Sequence, residues 1–274
     1  MSGISLLVSD VDGTLVTPDK QVTAASVAAS AKLKAAGIAL CLVSSRPPRG
    51  MASVLAAVAN DQPFAAFNGG VICSADGALL DRCALDRAVI ERTLSALAAE
   101  AIEAWVFDGD DWLIADPHGP KIARERMTVG FDPIVVTDLA ARCDAVGKIV
   151  GVSDDHARLA AFGERFAPEV AGRASVGLSQ PYYLDITPPA ADKGRAVSRL
   201  CHLTGVPPER TAVIGDMWND VAMFDVAAVA IAMGQAPDGV KARAAQVALS
   251  NTQDGWAQAV EAFVLPHAQA RRGR

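Results

Sequence analysis

The sequence is poor in the features that mark several protein classes. Aromatic residues make up only 5% of its 274 positions, and no apolar run approaches the roughly 20 residues of a membrane-spanning helix. Positive charge is in deficit, with 25 Lys and Arg against 31 Asp and Glu and a formal net charge of −6. That balance argues against nucleic acid or an anionic membrane as a partner, since either would call for a basic face. The five cysteines (Cys41, Cys73, Cys83, Cys143, Cys201) are odd in number and form no CxxC pair. They exclude a disulfide framework and a zinc cluster, and read as reduced, mostly buried thiols of a cytoplasmic protein. The N-terminus lacks the basic start and long apolar stretch of a signal peptide. What is present is 51% hydrophobic and 20% charged, enough for a large core in one big domain or two moderate ones.

Apolar segments alternate with amphipathic ones in the rhythm of a parallel α/β sheet. Residues 4–9 read as a strand, and 24–36 as a helix capped by Thr23 and closed by Gly37. A strand at 38–43, a helix at about 49–60, a strand at 63–67 and a hairpin over 71–81 follow. The βα rhythm returns late, with helices at 193–203, 218–226, 237–244 and 254–264 and strands at 211–215, 228–232 and near 247–249. Between these stretches the pattern changes. A helix at 86–100, a hairpin around Gly109, a basic helix at about 120–128 and strands at 146–152, 173–178 and 182–187 predict an antiparallel sheet with helices on one face. The expected fold is therefore α/β: a doubly wound parallel-sheet core (1–82 and 189–274) with an inserted α+β domain at 83–188. The segment 266–274 reads as a loose tail.

Four short segments fall at the predicted C-terminal ends of core strands or at the start of a core helix, the edge where open α/β sheets bind ligands. They are Asp10-Val11-Asp12-Gly13-Thr14, Ser44-Ser45-Arg46-Pro47, Lys193-Gly194 and Gly215-Asp216-Met217-Trp218-Asn219-Asp220. Two carboxylates two residues apart would share one face of a continuing strand and repel, so Asp10 and Asp12 need separate duties. Phosphoryl transfer supplies them. Asp10 and Asp216 offer hard oxygen ligands to Mg2+, Asp10 attacks phosphorus, and Asp12 gives and then takes a proton. Ser44 and Lys193 would hold the phosphoryl oxygens.

These segments resemble the motifs of the haloacid dehalogenase superfamily of phosphohydrolases, and in particular its Cof-type members (subfamily IIB), whose large α+β cap lies between the second and third motifs. DVDGTL at 10–15 and GDMWND at 215–220 match without departure. FNGG at 67–70, with Asn68 and Gly69, is similar to the segment such members carry before the cap. DITPPAADKG at 185–194 is similar to the return from it, and AMGQA at 232–236 to the late glycine loop. The resemblance covers roughly 1–82 and 189–265 well, and the cap by length and rhythm only. It implies a magnesium-dependent phosphatase of a small phosphorylated metabolite working through an aspartyl-phosphate. It also implies that the Asp12 backbone carbonyl is a metal ligand and that Asn219 and Asp220 orient the phosphate and the metal shell. Ser45, Gln235 and Gln246 depart from the family pattern, the last two at positions expected to be remote from the chemistry.

Other readings stay open at this level. A phosphomutase would return the phosphoryl group to a sugar, and a non-catalytic sugar-phosphate sensor would keep the clamp without the chemistry, although both aspartates are present. A cation-pumping ATPase carries Thr in place of Asp12 and needs membrane helices, and a dehalogenase lacks the second acid. Arg46 is read as either a substrate contact or a loop brace. In the cap, Lys121, Arg124 and Arg126 read as a solvated face, while Trp112, Gln180, Tyr182 and Tyr183 are candidates to line a closed site, although aromatics next to strands usually pack. The four histidines show no ligand spacing. Oligomeric state is not legible.

Overall fold

A computed structural model describes residues 3–141 and 143–268 of the chain. From residue 269 onward the expected tail lies outside the described residues. The chain first lays down β1 (Leu6–Asp10), helix α1 (Ala24–Ala35), β2 (Ala39–Val43), α2 (Ala52–Ala57), β3 (Phe64–Ala66), β4 (Val71–Cys73) and β5 (Leu79–Arg82). It then leaves through α3 (Arg87–Ala99). A second sheet follows, from β6 (Glu103–Asp108), β7 (Asp111–Ile114), α4 (Ile122–Val129), β8 (Ile134–Val135), β9 (Val146–Val152), α5 (His156–Phe166), β10 (Ser175–Gln180) and β11 (Tyr183–Thr187). The return is through α6 (Lys193–Thr204), β12 (Thr211–Gly215), α7 (Val221–Phe224), β13 (Val229–Ala232) and β14 (Gln246–Val247).

The first sheet has eight strands in the order β14-β13-β12-β1-β2-β3-β4-β5, parallel from β14 to β3 and antiparallel beyond. Its strands are apolar on both faces, as helices on both sides require. Leu7, Leu40, Leu42 and Ile214 pack with Leu33 of α1 and Trp256, while Leu6, Val8, Cys41 and Val213 pack with Val197 and Leu200 of α6. α1 starts as its sequence dictates, with the Thr23 hydroxyl accepting from the Ser26 amide. Pro47, Pro48 and Gly50 delay the next helix, so α2 is shorter than expected and follows a 3-10 turn at Pro48–Met51.

The second sheet runs β10-β11-β9-β6-β7-β8. It departs from the expectation twice. The short edge strand β8 pairs parallel to β7, and its two residues after Pro133 were too brief to show a period. Helices cover both faces rather than one: α3 and α5 pack on the outer face, while Ile122 and Val129 of α4 join the cluster of Trp105, Trp112 and Tyr183 on the inner face. That inner face lies on the first sheet. Phe107 meets Phe67 edge-on at 5.9 Å, and the Arg49 guanidinium sits 4.5 Å from the centre of the Phe131 ring. Among the described residues, no helix is long and apolar enough to cross a membrane.

Candidate active site

Because β1 and β12 are neighbours in mid-sheet, Asp10 at the end of one and Asp216 just past the other arrive together. The carboxylates of Asp10, Asp216 and Asp220 are all buried, with one oxygen from each inside a 4.8 Å span. Lys193, the first residue of α6, is 2% exposed, and its ammonium donates to Asp10 Oδ1 and Asp220 Oδ1, each at 2.6 Å. The other oxygen of Asp220 accepts the amides of Asp216 and Met217 at 2.8 and 2.9 Å, which fixes the turn after β12. Thr14 donates to Asp216 Oδ1 at 3.0 Å. Gly13 has φ +84°, and a Cβ there would fall 2.3 Å from Asp216 Oδ2, so only glycine lets the first segment close on the fourth.

Three carboxylates face one ammonium, and the electrostatics record the excess. Burial pushes the Asp10 carboxyl well above its usual range, against the pull of Lys193, with Asp220 and Asp216 adding to the rise. Burial, then Asp220, pushes Asp216 up to about 7. Burial works against the charge of Lys193, yet Asp10 and Asp220 outweigh it and hold the ammonium above its ordinary value. An all-oxygen donor set with surplus negative charge fits a hard divalent cation such as Mg2+ and not zinc, which prefers nitrogen and sulfur.

Asp12 belongs to a different group. Its carboxylate takes two 2.7 Å bonds from Arg46, Nε to Oδ2 and Nη2 to Oδ1, and a third 2.7 Å bond from Lys20. Burial raises this carboxyl, but the Arg46 bonds and charge and then Lys20 overcome it and hold it at about 2. Arg46 also donates to the Gly50 carbonyl at 3.3 Å, so it braces its loop as well as binding Asp12. Ser44 follows β2 fully buried, its hydroxyl accepting the Arg46 amide at 3.1 Å. Asn219 donates to Asn68 at 3.2 Å, while Gly69 packs on Ala196 of α6.

Two expectations are corrected. Gln235 is not remote: its amide nitrogen donates to the Gly13 carbonyl at 2.5 Å and its oxygen accepts the Asn251 amide. Trp112 does not line the site, because it is fully buried against Trp105 and Phe107. Gln180, Tyr182 and Tyr183 do line a cavity of about 80 Å³ between the two sheets, together with Asp12, Arg46 and Arg124. Lys121 is taken up by Asp154 and Arg126 by Asp132. Sequence reasoning missed Lys20, Glu125 and Lys148 on the same cavity wall, and Asp185 beside them. The available signal was a lone charge inside an apolar strand, in VGKIVGV and in YLDIT, which demands a buried partner. Burial raises the Glu125 carboxyl against the pull of Lys148, and burial and Glu125 raise the Tyr183 hydroxyl.

Comparison with known proteins identifies the family. The family model of haloacid dehalogenase-like hydrolases matches residues 7–260. The chain is 26% identical over 268 residues to the pyridoxal phosphate phosphatase YbhA of Escherichia coli, covering 94% of this chain and 96% of that one. It is 28% identical over 228 residues to the HMP-PP phosphatase of Cronobacter sakazakii, covering 83% of each. A haloacid dehalogenase-like hydrolase from Bacteroides thetaiotaomicron superposes with a TM-score of 0.86 at 25% identity, covering 94% of this chain and 98% of that one. The chain belongs to the haloacid dehalogenase-like hydrolase family, as one of its Cof-type phosphatases.

Proposed function

We propose that this phosphatase hydrolyses a small phosphorylated metabolite with Mg2+, through an aspartyl-phosphate on Asp10. The observation that carries the reading is the buried group of Asp10, Asp216 and Asp220 around the single ammonium of Lys193. Asp10, Asp216 and the Asp12 backbone carbonyl would hold the cation, with Asp220 fixed behind them. When bound, the cation offsets the carboxylates and the substrate phosphate, so that one anion can approach another.

Asp10 attacks phosphorus through a carboxylate oxygen, and the bond from phosphorus to the leaving oxygen breaks as the acyl phosphate forms. Asp12 gives that leaving oxygen a proton. It then takes a proton from the water that attacks the acyl phosphate, which frees Asp10 and releases inorganic phosphate. Ser44, Lys193 and Asn219 bind the non-bridging oxygens. Arg46 and Lys20 hold Asp12 in its charged form, suited to the second half-reaction. In the first half-reaction the substrate phosphoryl group, itself anionic, competes with Asp12 for those two cations. Residues 83–188 serve as the cap that shuts this chemistry away from bulk water. A cytoplasmic setting belongs to the same reading and is supported by the five free cysteines, and the net charge of −6 supports a protein without nucleic-acid or membrane partners.

A panel of phosphorylated metabolites with magnesium tests it, small ring phosphates like those named for the relatives included. Phosphate release is expected from some members and none from Asp10→Asn, and a rapid-quench mass measurement should locate the phosphoryl group on Asp10. Silence across the panel, or a phosphoryl group mapped to Ser44, overturns the reading.

A further inference from the structure

The loop that carries Ser44 is held carbonyl by carbonyl. The Ser44 carbonyl accepts the Asn68 amide at 2.8 Å and the Arg46 carbonyl accepts the Phe67 amide at 2.9 Å, both from the first sheet's own segment. The carbonyl between them, that of Ser45, accepts from Lys148 Nζ at 3.2 Å, and Lys148 stands on β9 of the inserted sheet. This ammonium is 5% exposed. Its other neighbours are Asp185 Oδ2 at 3.7 Å, too far for a hydrogen bond, the face of Phe107 at 5.1 Å, and the buried Glu125 carboxyl, which feels its charge at longer range. Asp185 is also buried, and neither of its oxygens has a hydrogen-bond partner.

A buried carboxylate left half-served next to a buried ammonium is costly, and the cost falls if the ammonium moves toward it. Lys148 therefore has two competing partners, one in each sheet. We infer that Lys148 is a positioning residue that passes between Asp185 and the Ser45 carbonyl, so that closure of the cap and ordering of the phosphate-binding loop are one event. The inference rests on the phosphatase reading for the meaning of that loop. With the cap withdrawn, Lys148 pairs with Asp185 and the Ser45 carbonyl turns to water. With the cap down, Lys148 completes the loop and Asp185 gives up its partner. Asp185 thus works against closure in the empty protein and Lys148 works for it. That opposition separates a two-state element from a simple buried ion pair.

The test compares Lys148→Met, Lys148→Arg and Asp185→Asn by steady-state kinetics and by amide hydrogen exchange of residues 44–46. Lys148→Met should raise KM about tenfold with kcat little changed, the loss of one charged hydrogen bond to the loop, and should speed loop exchange. Lys148→Arg, which keeps a donor, should restore most of both. Asp185→Asn should act in the opposite sense, slowing loop exchange and lowering KM roughly threefold, the effect of losing a weak ion pair. Its kcat should fall as well, because the cap reopens more slowly to release product. If both residues only brace the fold, Lys148→Met and Asp185→Asn will shift KM and exchange in the same direction, and the inference fails. Unchanged loop exchange in a folded Lys148→Met protein overturns it too. Exchange needs no turnover, so an inactive wild type showing the expected exchange pattern would sink the phosphatase reading alone.

Discussion

Replacing Lys193 by Met removes the one positive charge in contact with Asp10 and Asp220 and keeps the volume of the side chain. Both ion pairs are 2.6 Å long, and the three side chains are 2%, 6% and 1% exposed, so water does not compensate the loss. Breaking a buried pair from one side costs about 3–5 kcal/mol. For a chain of this size that lowers the melting temperature by roughly 6–20 °C. The deficit must also depend on pH, and its sign follows from the carboxylates. Asp10 and Asp216 are both raised, Asp216 to about 7, so between about pH 4 and 7 the metal-free native state holds more protons than the unfolded chain. Its stability therefore declines as pH rises through that window. Without Lys193 the carboxyls lose the charge that pulls them down, and the decline steepens and extends to higher pH. Lys193 itself is held above its ordinary value, so its own stabilisation is intact below about pH 10 and its titration plays no part here.

The assay is urea unfolding followed by circular dichroism in excess chelator, for wild type and Lys193→Met from pH 5 to 8. The expected deficit is small at pH 5, where protons replace the missing ammonium, and full at pH 8. Adding Asp220→Asn to the variant removes one stranded charge while its amide oxygen still accepts from Asp216 and Met217. The double variant should recover roughly half the loss at pH 8. A deficit under about 1 kcal/mol at pH 8, or one that does not grow between pH 5 and 8, would refute the reasoning.

Magnesium should raise the melting temperature of the wild type, and Gly13→Ala should cost about 1–3 kcal/mol and erase that rise, because its Cβ would stand 2.3 Å from Asp216 Oδ2 at φ +84°; thermal melts with and without the ion decide it. Arg46→Met should destabilise by about 3 kcal/mol at pH 6, and the gap to wild type should close as acid titrates Asp12 through about pH 2, since a depressed carboxyl contributes above its unfolded pKa and loses that contribution as pH falls. Acid unfolding curves of the two proteins measure this. Chelation should abolish phosphate release and magnesium should restore it, with full activity in excess chelator the contrary result.

The sheet core was legible because parallel strands buried on both faces carry continuous apolar runs, as TAVIG and ALCLV do, and because the loop after each ends in short polar words of fixed composition. The edge strand β8 was not, because its two residues are too few to show a period. The helix expected over 218–226 is present but opens as the 3-10 turn Trp218–Asp220, where Asp220 folds back on its own backbone, before α7 begins. In the candidate site, the sequence pointed to residues that lie next to a glycine turn or at a strand end. Partners that reach the site from distant elements carried no such mark. Lys20 comes from a turn with no motif of its own, while Lys148 and Asp185 come from strands of another sheet. Periodicity reports which face a residue takes, but which of two sheets that face will meet is a property of the packed molecule.

The pairing of Asp10 with Asp12 shows how packing assigns different chemistry to identical groups. As neighbours on one strand face they would repel, and each would raise the proton affinity of the other. Instead β1 stops at Asp10, and the two carboxylates meet different cations, Lys193 for Asp10 and Arg46 with Lys20 for Asp12. Asp10 is sunk beside Asp216 and Asp220, where burial outweighs the help of Lys193 and its carboxyl rises. Asp12 is gripped by Arg46 and Lys20, which outweigh its burial and pull its carboxyl down to about 2. A group held that low is a poor proton donor until something draws its cations away, and the substrate phosphoryl group is an anion able to do so. In the proposed mechanism the acid form of Asp12 is then favoured when there is a leaving oxygen to protonate. Aspartate can serve at both positions because the difference lies in the cations each one meets.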